Sequence, residues 1–353
     1  MRGSFRLFKI WGISIEIHFT FLLLPLLFGF QYGAKGVFLI LLVFCCVTLH
    51  ELMHSLQAKR FGIKVDRITL LPIGGVASMR KMPDDPRQEF IVSISGPLTN
   101  IVIALIFFYP LYKILGPDNL FNPSLKTWSQ TFAYAFWINP GLAIFNLIPA
   151  FPMDGGRLLR AFLAKRMDYR KATRIAVGFG HAFALFFAIW GILHNHISLI
   201  VIAMFVYFAA SQEGQQVDIR MTLRRFRVQD ILSKEFHAVS PENTVAEILN
   251  MVFIRHQEDF PVVEGGHFVG FLSRNEILHA VHSGGLDKKA RELMLKEFPI
   301  TSPTELLSSL YNKLEKANLK AAPVLKDKEL LGLVSLEDIS RVYALISRRS
   351  YNK

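Results

Sequence analysis

The chain is predicted to be a mainly α-helical membrane protein, with about six transmembrane helices and a small membrane-associated β-sheet, followed by a soluble α/β tail built as a tandem. Three observations carry this prediction. Of 353 residues, 52% are hydrophobic and only 19% are charged, and 31 are Phe, which is too apolar for an ordinary soluble chain of this length. The long apolar runs lie almost entirely before about residue 210, whereas the remainder has the charge density of a soluble domain. That remainder also repeats itself at a spacing of about sixty residues. The expected division is a membrane part over 1–212, a basic juxtamembrane linker over 213–227, and a tail over 228–350 whose halves cover about 228–284 and 285–350.

Residues 12–17, GISIEI, alternate apolar and polar at period two, as a short strand does, and lead into a first apolar span at about 18–32. Arg2, Arg6 and Lys9 resemble the basic start of a signal peptide, but no small-residue cleavage site follows, so this span is expected to stay in the chain. A second span covers about 36–58. Gly62 to Met79, GIKVDRITLLPIGGVASM, is β-branched and punctuated by Pro72 and Gly74-Gly75, which reads as strands joined by a turn. Further spans are expected at about 90–112, 128–148, 172–193 and 197–210. Cys45 and Cys46, adjacent in an apolar run, read as small apolar helix residues rather than disulfide partners.

Basic residues set the orientation. Lys59, Arg60, Lys64, Arg67, Arg80, Lys81 and Arg87 flank the second and third spans, and Arg157, Arg160, Lys165, Arg166, Arg170 and Lys171 separate the fourth from the fifth. Arg220, Arg224, Arg225 and Arg227 follow the sixth. A multi-pass protein of the cell membrane is expected, with both termini and the tail cytoplasmic. The formal charge of +12 is largely this inside bias, so no nucleic-acid partner is invoked; the lipid bilayer is the partner, and RMTLRRFR at 220–227 is expected to meet anionic headgroups.

TLHELMHSLQ, Thr48 to Gln57, closes an apolar run free of charge from Val37 to Leu49. A carboxylate there is costly unless something compensates it, and such residues point to function by default. On a helix, His50 and His54 at i and i+4 share one face and can bind one metal ion, with Glu51 about 100° round the axis. The spacing is that of a zinc hydrolase, in which Glu51 is the general base. Zinc held by two His needs a third protein ligand. The candidate is Asp154 in NLIPAFPMDGGR, where Pro149 and Pro152 break the chain and Gly155-Gly156 follow; broken backbone at membrane depth is tolerated where it lines protein or a wet cavity. His18 is a rival ligand, and His181, His194 and His196 are weaker ones. A bland reading, an interfacial turn at PMDGG, stands beside the catalytic one.

HELMH, SGPLTN at Ser95 to Asn100, LLPIGGVA at 70–77 and NLIPAFPMDGG, in this setting, make residues of about 4–212 resemble the non-PDZ members of the site-2 protease family of intramembrane zinc metalloproteases. The resemblance implies one zinc ion on His50, His54 and Asp154, Glu51 as base, and Asn146 holding the main chain of a single-span membrane-protein substrate. Met53 departs from the Gly that many members have before the second His. In the tail, VSPENTVAEILNMV, DFPVVE and HFVGFLSRNEIL are echoed by ITSPTELLSSLYNKL, AAPVL and ELLGLVSLEDIS, which resembles a tandem pair of CBS domains. That resemblance implies adenine nucleotide, ATP or AMP, on Ser335 and Asp338 and on Ser273 and Glu276, with Glu276 standing where Asp is usual, and association as a homodimer through the CBS domains.

Three classes of function therefore compete. A zinc endopeptidase regulated by cytosolic CBS domains uses every motif. A CBS-regulated transporter or channel with a His/Asp transport site leaves Glu51 idle, and a scaffold that binds helices without cutting them leaves the metal idle.

Overall fold

The computed structural model describes residues 3–72, 74–79, 85–255, 257–327 and 329–351. Arg80 and Lys81 of the expected cytoplasmic rim lie outside them. The chain divides into two compact units, Met1–Gln215 and Gln216–Lys353.

The first unit opens with a hairpin of β1, Ser4–Ile10, and β2, Ile13–His18. Trp11 and Gly12 between them have φ of 47° and 82°, the double positive φ that a two-residue hairpin turn demands. A 3₁₀ turn, Phe19–Leu22, and a short helix α1, Leu23–Tyr32, lead to the long helix α2, Ala34–Arg60. Strands β3, Val65–Leu71, and β4, Gly74–Met79, complete one sheet in the order β1-β2-β3-β4. β2 and β3 run parallel, and α1 and α2 supply the crossover that a parallel pair requires. Ile13, Ile15, Ile68 and Leu70 turn one sheet face onto Phe21, Phe44, Leu52 and Ala58, so the sheet is packed against α2 at the turns that carry the HELMH motif.

Helix α3, Pro86–Leu115, starts with Asp85 accepting from the Arg87 N–H at 2.8 Å and Pro86 in its first turn, a favourable N-terminal arrangement. The short α4, Pro117–Leu120, is followed by α5, Trp128–Leu147, α6, Asp154–Leu163, α7, Tyr169–Leu193, and α8, Ile197–Leu223.

Among the described residues, four helices, α2, α3, α7 and α8, are by length and composition able to cross a membrane, which leaves the expected count of six unconfirmed. Other expectations need correction. The first apolar stretch, expected at about 18–32, folds as the short apolar helix Phe19–Tyr32, below that standard of length. β1, not expected from sequence, pairs along β2 with a register shift between Arg6 and Phe8, and this irregularity hides its alternation. α6 begins at Asp154 itself, inside the PMDGG stretch that also read as an interfacial turn, and α8 runs 13 residues beyond Ala210 to Leu223, because good helix formers such as Gln, Arg and Met sustain a helix that hydropathy no longer marks.

The second unit repeats one motif. Helix α9, Val245–Arg255, strands β5, Phe260–Glu264, and β6, His267–Leu272, and helix α10, Arg274–His282, form the first half. After the single turn α11, Ala290–Leu293, helix α12, Leu307–Ala317, strands β7, Ala321–Lys326, and β8, Glu329–Ser335, and helix α13, Leu336–Tyr351, form the second. A parallel bridge joins Val239 to Val262 in one half and Thr301 to Val324 in the other. Val239, Ile248, Phe260 and Val262 build one core, and Leu307, Leu310, Leu314 and Val324 build the other.

Candidate metal centre

Three buried ligand atoms converge at one point. His50 and His54 lie one helical turn apart on α2, and their Nε2 atoms stand 3.1 Å from each other. The Oδ2 of Asp154, first residue of α6, lies 3.2 Å from His50 Nε2 and 3.0 Å from His54 Nε2. Sequence separation between the helices is about a hundred residues, so local rules alone cannot bring them together.

Glycines make the convergence possible. A Cβ on Gly96 of α3 would stand 2.6 Å from His50 Nε2 and nearer still to His54 Nε2, so only a bare Cα lets α3 close over the cluster. A Cβ on Gly155 would lie 2.5 Å from the Leu147 carbonyl carbon, and one on Gly156 would lie 2.5 Å from the Phe151 nitrogen. The two glycines thus let α6 begin hard against the end of α5, which delivers Asp154 to α2.

The donor set suits a cation. His54 Nδ1 lies 2.6 Å from the Val92 carbonyl oxygen, which can only accept, so Nδ1 carries a proton and Nε2 is the nitrogen left to face Asp154 and to serve a metal ion. Two imidazole lone pairs and a carboxylate oxygen, buried and gathered this closely, repel unless a positive ion joins them. Ligand atoms around a tetrahedral zinc at ~2.0–2.1 Å are themselves roughly 3.3 Å apart, close to the separations found. The residues therefore fit such an ion. The Val92 carbonyl is the outer partner that metal-bound imidazoles ordinarily have; Ser95 Oγ donates to the same carbonyl at 2.7 Å.

Glu51 follows His50 on α2 and interacts electrostatically with His50, His54, Asp154 and Arg157. β4 crosses it closely: a Cβ on Gly75 would stand 2.7 Å from Glu51 Cγ.

Residues 38–124 and 113–187 match peptidase family M50, and residues 228–283 and 290–345 each match the CBS domain. Over 353 aligned residues the chain is 35% identical to the zinc metalloprotease MJ0392 of Methanocaldococcus jannaschii, covering 98% of both chains. The chain belongs to peptidase family M50. This M50 peptidase is also 25% identical to the stage IV sporulation protein FB of Bacillus subtilis, over 80% of its own length and 95% of the relative's. Among solved structures, the site-2 protease from Methanocaldococcus jannaschii is 41% identical and aligns with 60% of this chain and 95% of that one, at a TM-score of 0.46.

The M50 peptidase holds the other sequence-selected residues apart from the cluster. Asn146, half-buried, sits in the last turn of α5, eight residues before Asp154. His18 is engaged with Thr20, its Nδ1 2.8 Å from Oγ1. His181 meets Ser211 Oγ at 2.9 Å and stacks on Tyr207, while His194 and His196 are exposed. Cys45 and Cys46 are free thiols, and Cys46 Sγ accepts from Asn139 Nδ2 at 3.2 Å.

Ser335 and Asp338 form a reciprocal cap at the start of α13: Ser335 Oγ donates to Asp338 Oδ2 at 2.6 Å and accepts from the Asp338 N–H at 3.1 Å, while the Ser335 N–H donates to Oδ2 at 3.0 Å. In the first half the Ser273 hydroxyl donates to Glu276 at the equivalent position of α10.

Sequence reasoning passed over three features. Val92 and Gly96 lie in the third apolar run, where SGPLTN marks the stretch but gives neither residue a role. Gly75 was seen as a turn residue, not as the site of a close approach. Arg160 enters the sequence reading only as one of the basic residues that set orientation, yet its side chain is 1% exposed and ion-paired with Glu89, which is 0% exposed.

Proposed function

We propose that this M50 peptidase is an intramembrane zinc endopeptidase in which His50, His54 and Asp154 hold one zinc ion and Glu51 is the general base. The substrate is a single-span membrane protein, cut within its transmembrane segment near the cytoplasmic side. The observation that carries this reading is the mutual approach of His50 Nε2, His54 Nε2 and Asp154 Oδ2 to 3.0–3.2 Å with Glu51 in the adjoining helical position. When bound, zinc supplies a Lewis acid and lowers the pKa of the attacking water toward ~7.

Glu51 takes the proton from that water and passes it to the leaving amine nitrogen as the peptide bond breaks. A helical peptide bond is screened by its own hydrogen bonds, so the substrate unwinds locally before attack. β4, an edge of the sheet that crosses Glu51 at Gly75, offers unpaired main-chain groups to the extended segment. Asn146 adds a side-chain hydrogen bond to the substrate main chain.

The protein spans the cell membrane several times with both termini cytoplasmic, and its CBS halves pair in a homodimer and take ATP or AMP, which modulates cleavage. Support for the nucleotide comes from the two CBS matches and from Ser335 and Ser273 at helix N-termini, where phosphate and ribose oxygens are well received. A transporter is disfavoured by membership of a peptidase family and by the position of Glu51 beside the cluster.

Co-expression with tagged single-span proteins from the same genome tests the proposal. Cleavage by the wild-type chain, absent with Glu51→Gln while zinc is retained, supports it; equal cleavage by both variants rejects Glu51 as base.

A further inference from the structure

We infer that Arg160 is the positioning residue for Asp154, setting the orientation of α6 and so the direction from which the carboxylate meets the two histidines; this rests on the reading of the cluster as a metal site.

Asp154 is the first residue of α6, and its start is placed by close backbone packing at Gly155 and Gly156 and by Arg157, whose Nη1 lies 4.0 Å from Asp154 Oδ1. Met153 before it offers no side-chain hydrogen bond to the helix start, so these local contacts leave the rotation of α6 about its own axis to be set further along the helix. Six residues on, roughly 9 Å along the axis, Arg160 fastens the same helix to three others. Its Nε and Nη2 donate to Glu89 Oε1 of α3 at 2.8 and 2.5 Å, and its Nη1 donates to Glu213 Oε1 of α8 at 2.9 Å. Its guanidinium plane lies 4.8 Å from the Phe151 ring centroid and 4.9 Å from that of Tyr169 on α7.

A buried ion pair is weak grounds for stability, since desolvation offsets most of its Coulombic gain. The location gives this one a more specific use. Glu89 precedes Val92 by less than one turn of α3, and Val92 is the residue whose carbonyl fixes the His54 ring. Gly96, whose bare Cα admits the two histidine nitrogens, is one turn further along the same helix. His54 and Asp154, brought by different helices, are therefore both referenced to the stretch 89–96 of α3. Rotation of α6 about its axis breaks the Arg160 contacts and swings Asp154 Oδ2 away from both imidazoles together.

The planar fork matters as well as the charge. Lys at 160 keeps a cation but cannot address Glu89 and Glu213 with a rigid, divergent set of donors. Arg160 touches none of the three ligands and acts through the placement of α6; a direct outer-shell partner contributes about tenfold to a hundredfold in metal affinity, and that scale is taken for the loss on displacing Asp154.

The test is titration of the metal-stripped full chain in detergent with Co²⁺, read by its visible d–d absorption and by thermal unfolding of the metal-free protein. Arg160→Lys is compared with wild type, with Asp154→Ala, and with the double variant Glu89→Gln/Arg160→Gln, which removes the buried charges together and so folds even if the single variant does not. Expected are Co²⁺ affinity lower by about tenfold or more and an altered d–d band in both Arg160 variants, with metal-free unfolding of Arg160→Lys close to that of wild type. Wild-type affinity and spectrum in either folded variant, alongside weakened binding in Asp154→Ala, overturn the role of Arg160 while leaving the metal site standing. No d–d band in wild type overturns both.

Discussion

Gly75 of β4 lies against Glu51 of α2, so closely that a Cβ on the glycine would stand 2.7 Å from Glu51 Cγ. The sheet edge and the proposed general base thus lie side by side, and on the proposal above a substrate strand added to β4 would pass over the carboxylate. Gly75 has no positive φ, so a larger residue strains nothing in the backbone and acts chiefly on Glu51, with Val47 Cγ1 the next contact at 3.4 Å. Gly75→Val is expected to retain zinc and lose about a hundredfold in kcat, the usual effect of displacing a reacting group by about 1 Å. Undiminished kcat with normal zinc content would mean that the position of Glu51 does not limit the reaction.

Gly96→Ala separates metal binding from helix stability. Alanine is favoured over glycine inside a helix by about 1 kcal/mol, so α3 itself should gain. The added methyl nonetheless meets His50 and His54 Nε2. The expected outcome is unchanged or raised thermal stability of the metal-free protein together with at least about tenfold weaker zinc retention against a chelator, in the range known for disturbed metal shells. Normal retention would mean that the histidines can turn aside.

The sequence made some of this legible and hid the rest for physical reasons. Helical period alone puts His50 and His54 on one face, and a carboxylate between them in an apolar run marks the place as costly. Asp154 was conspicuous because two prolines and two glycines surround it. That those glycines open a helix was not legible, since their value lies in contact with the backbone at 147–151, not in propensity. The Arg160–Glu89 pair joins residues 71 apart, and no local pattern distinguishes a buried arginine from its exposed neighbours. β1 escaped notice because SFRLFKI mixes basic and apolar residues without clean alternation, while α8 outlasted the hydropathy that announced it.

Asn146 is half-buried in the last turn of α5. Asn146→Ala is expected to leave zinc content unchanged and to lower kcat/KM by roughly fivefold to thirtyfold, the equivalent of one lost hydrogen bond of about 1–2 kcal/mol. Zinc content measured beside the rate checks this; loss of metal would assign Asn146 to the structure of the site.

Asp338 has two jobs to separate. Its carboxylate caps α13 with Ser335, so Asp338→Ala should cost about 1 kcal/mol of unfolding free energy in the CBS unit without nucleotide. If it also holds an adenylate ribose, ATP or AMP should bind about fivefold or more weakly, as a polar contact of ~1–3 kcal/mol requires. Zinc content should be unaffected, because the ligands lie in the other unit. Calorimetry with ATP and AMP on the wild-type chain and the variant decides; no heat at millimolar nucleotide in wild type would leave the CBS pair as a dimerisation module.

Zinc per chain, measured by atomic spectroscopy on detergent-purified wild type, Asp154→Ala and Glu51→Gln, bears most directly on the triad of His50, His54 and Asp154. One zinc in wild type and in Glu51→Gln, and at least about tenfold less in Asp154→Ala after the same chelator wash, is the predicted result. A full complement of zinc in Asp154→Ala would contradict it, because a site left with two histidines holds zinc poorly.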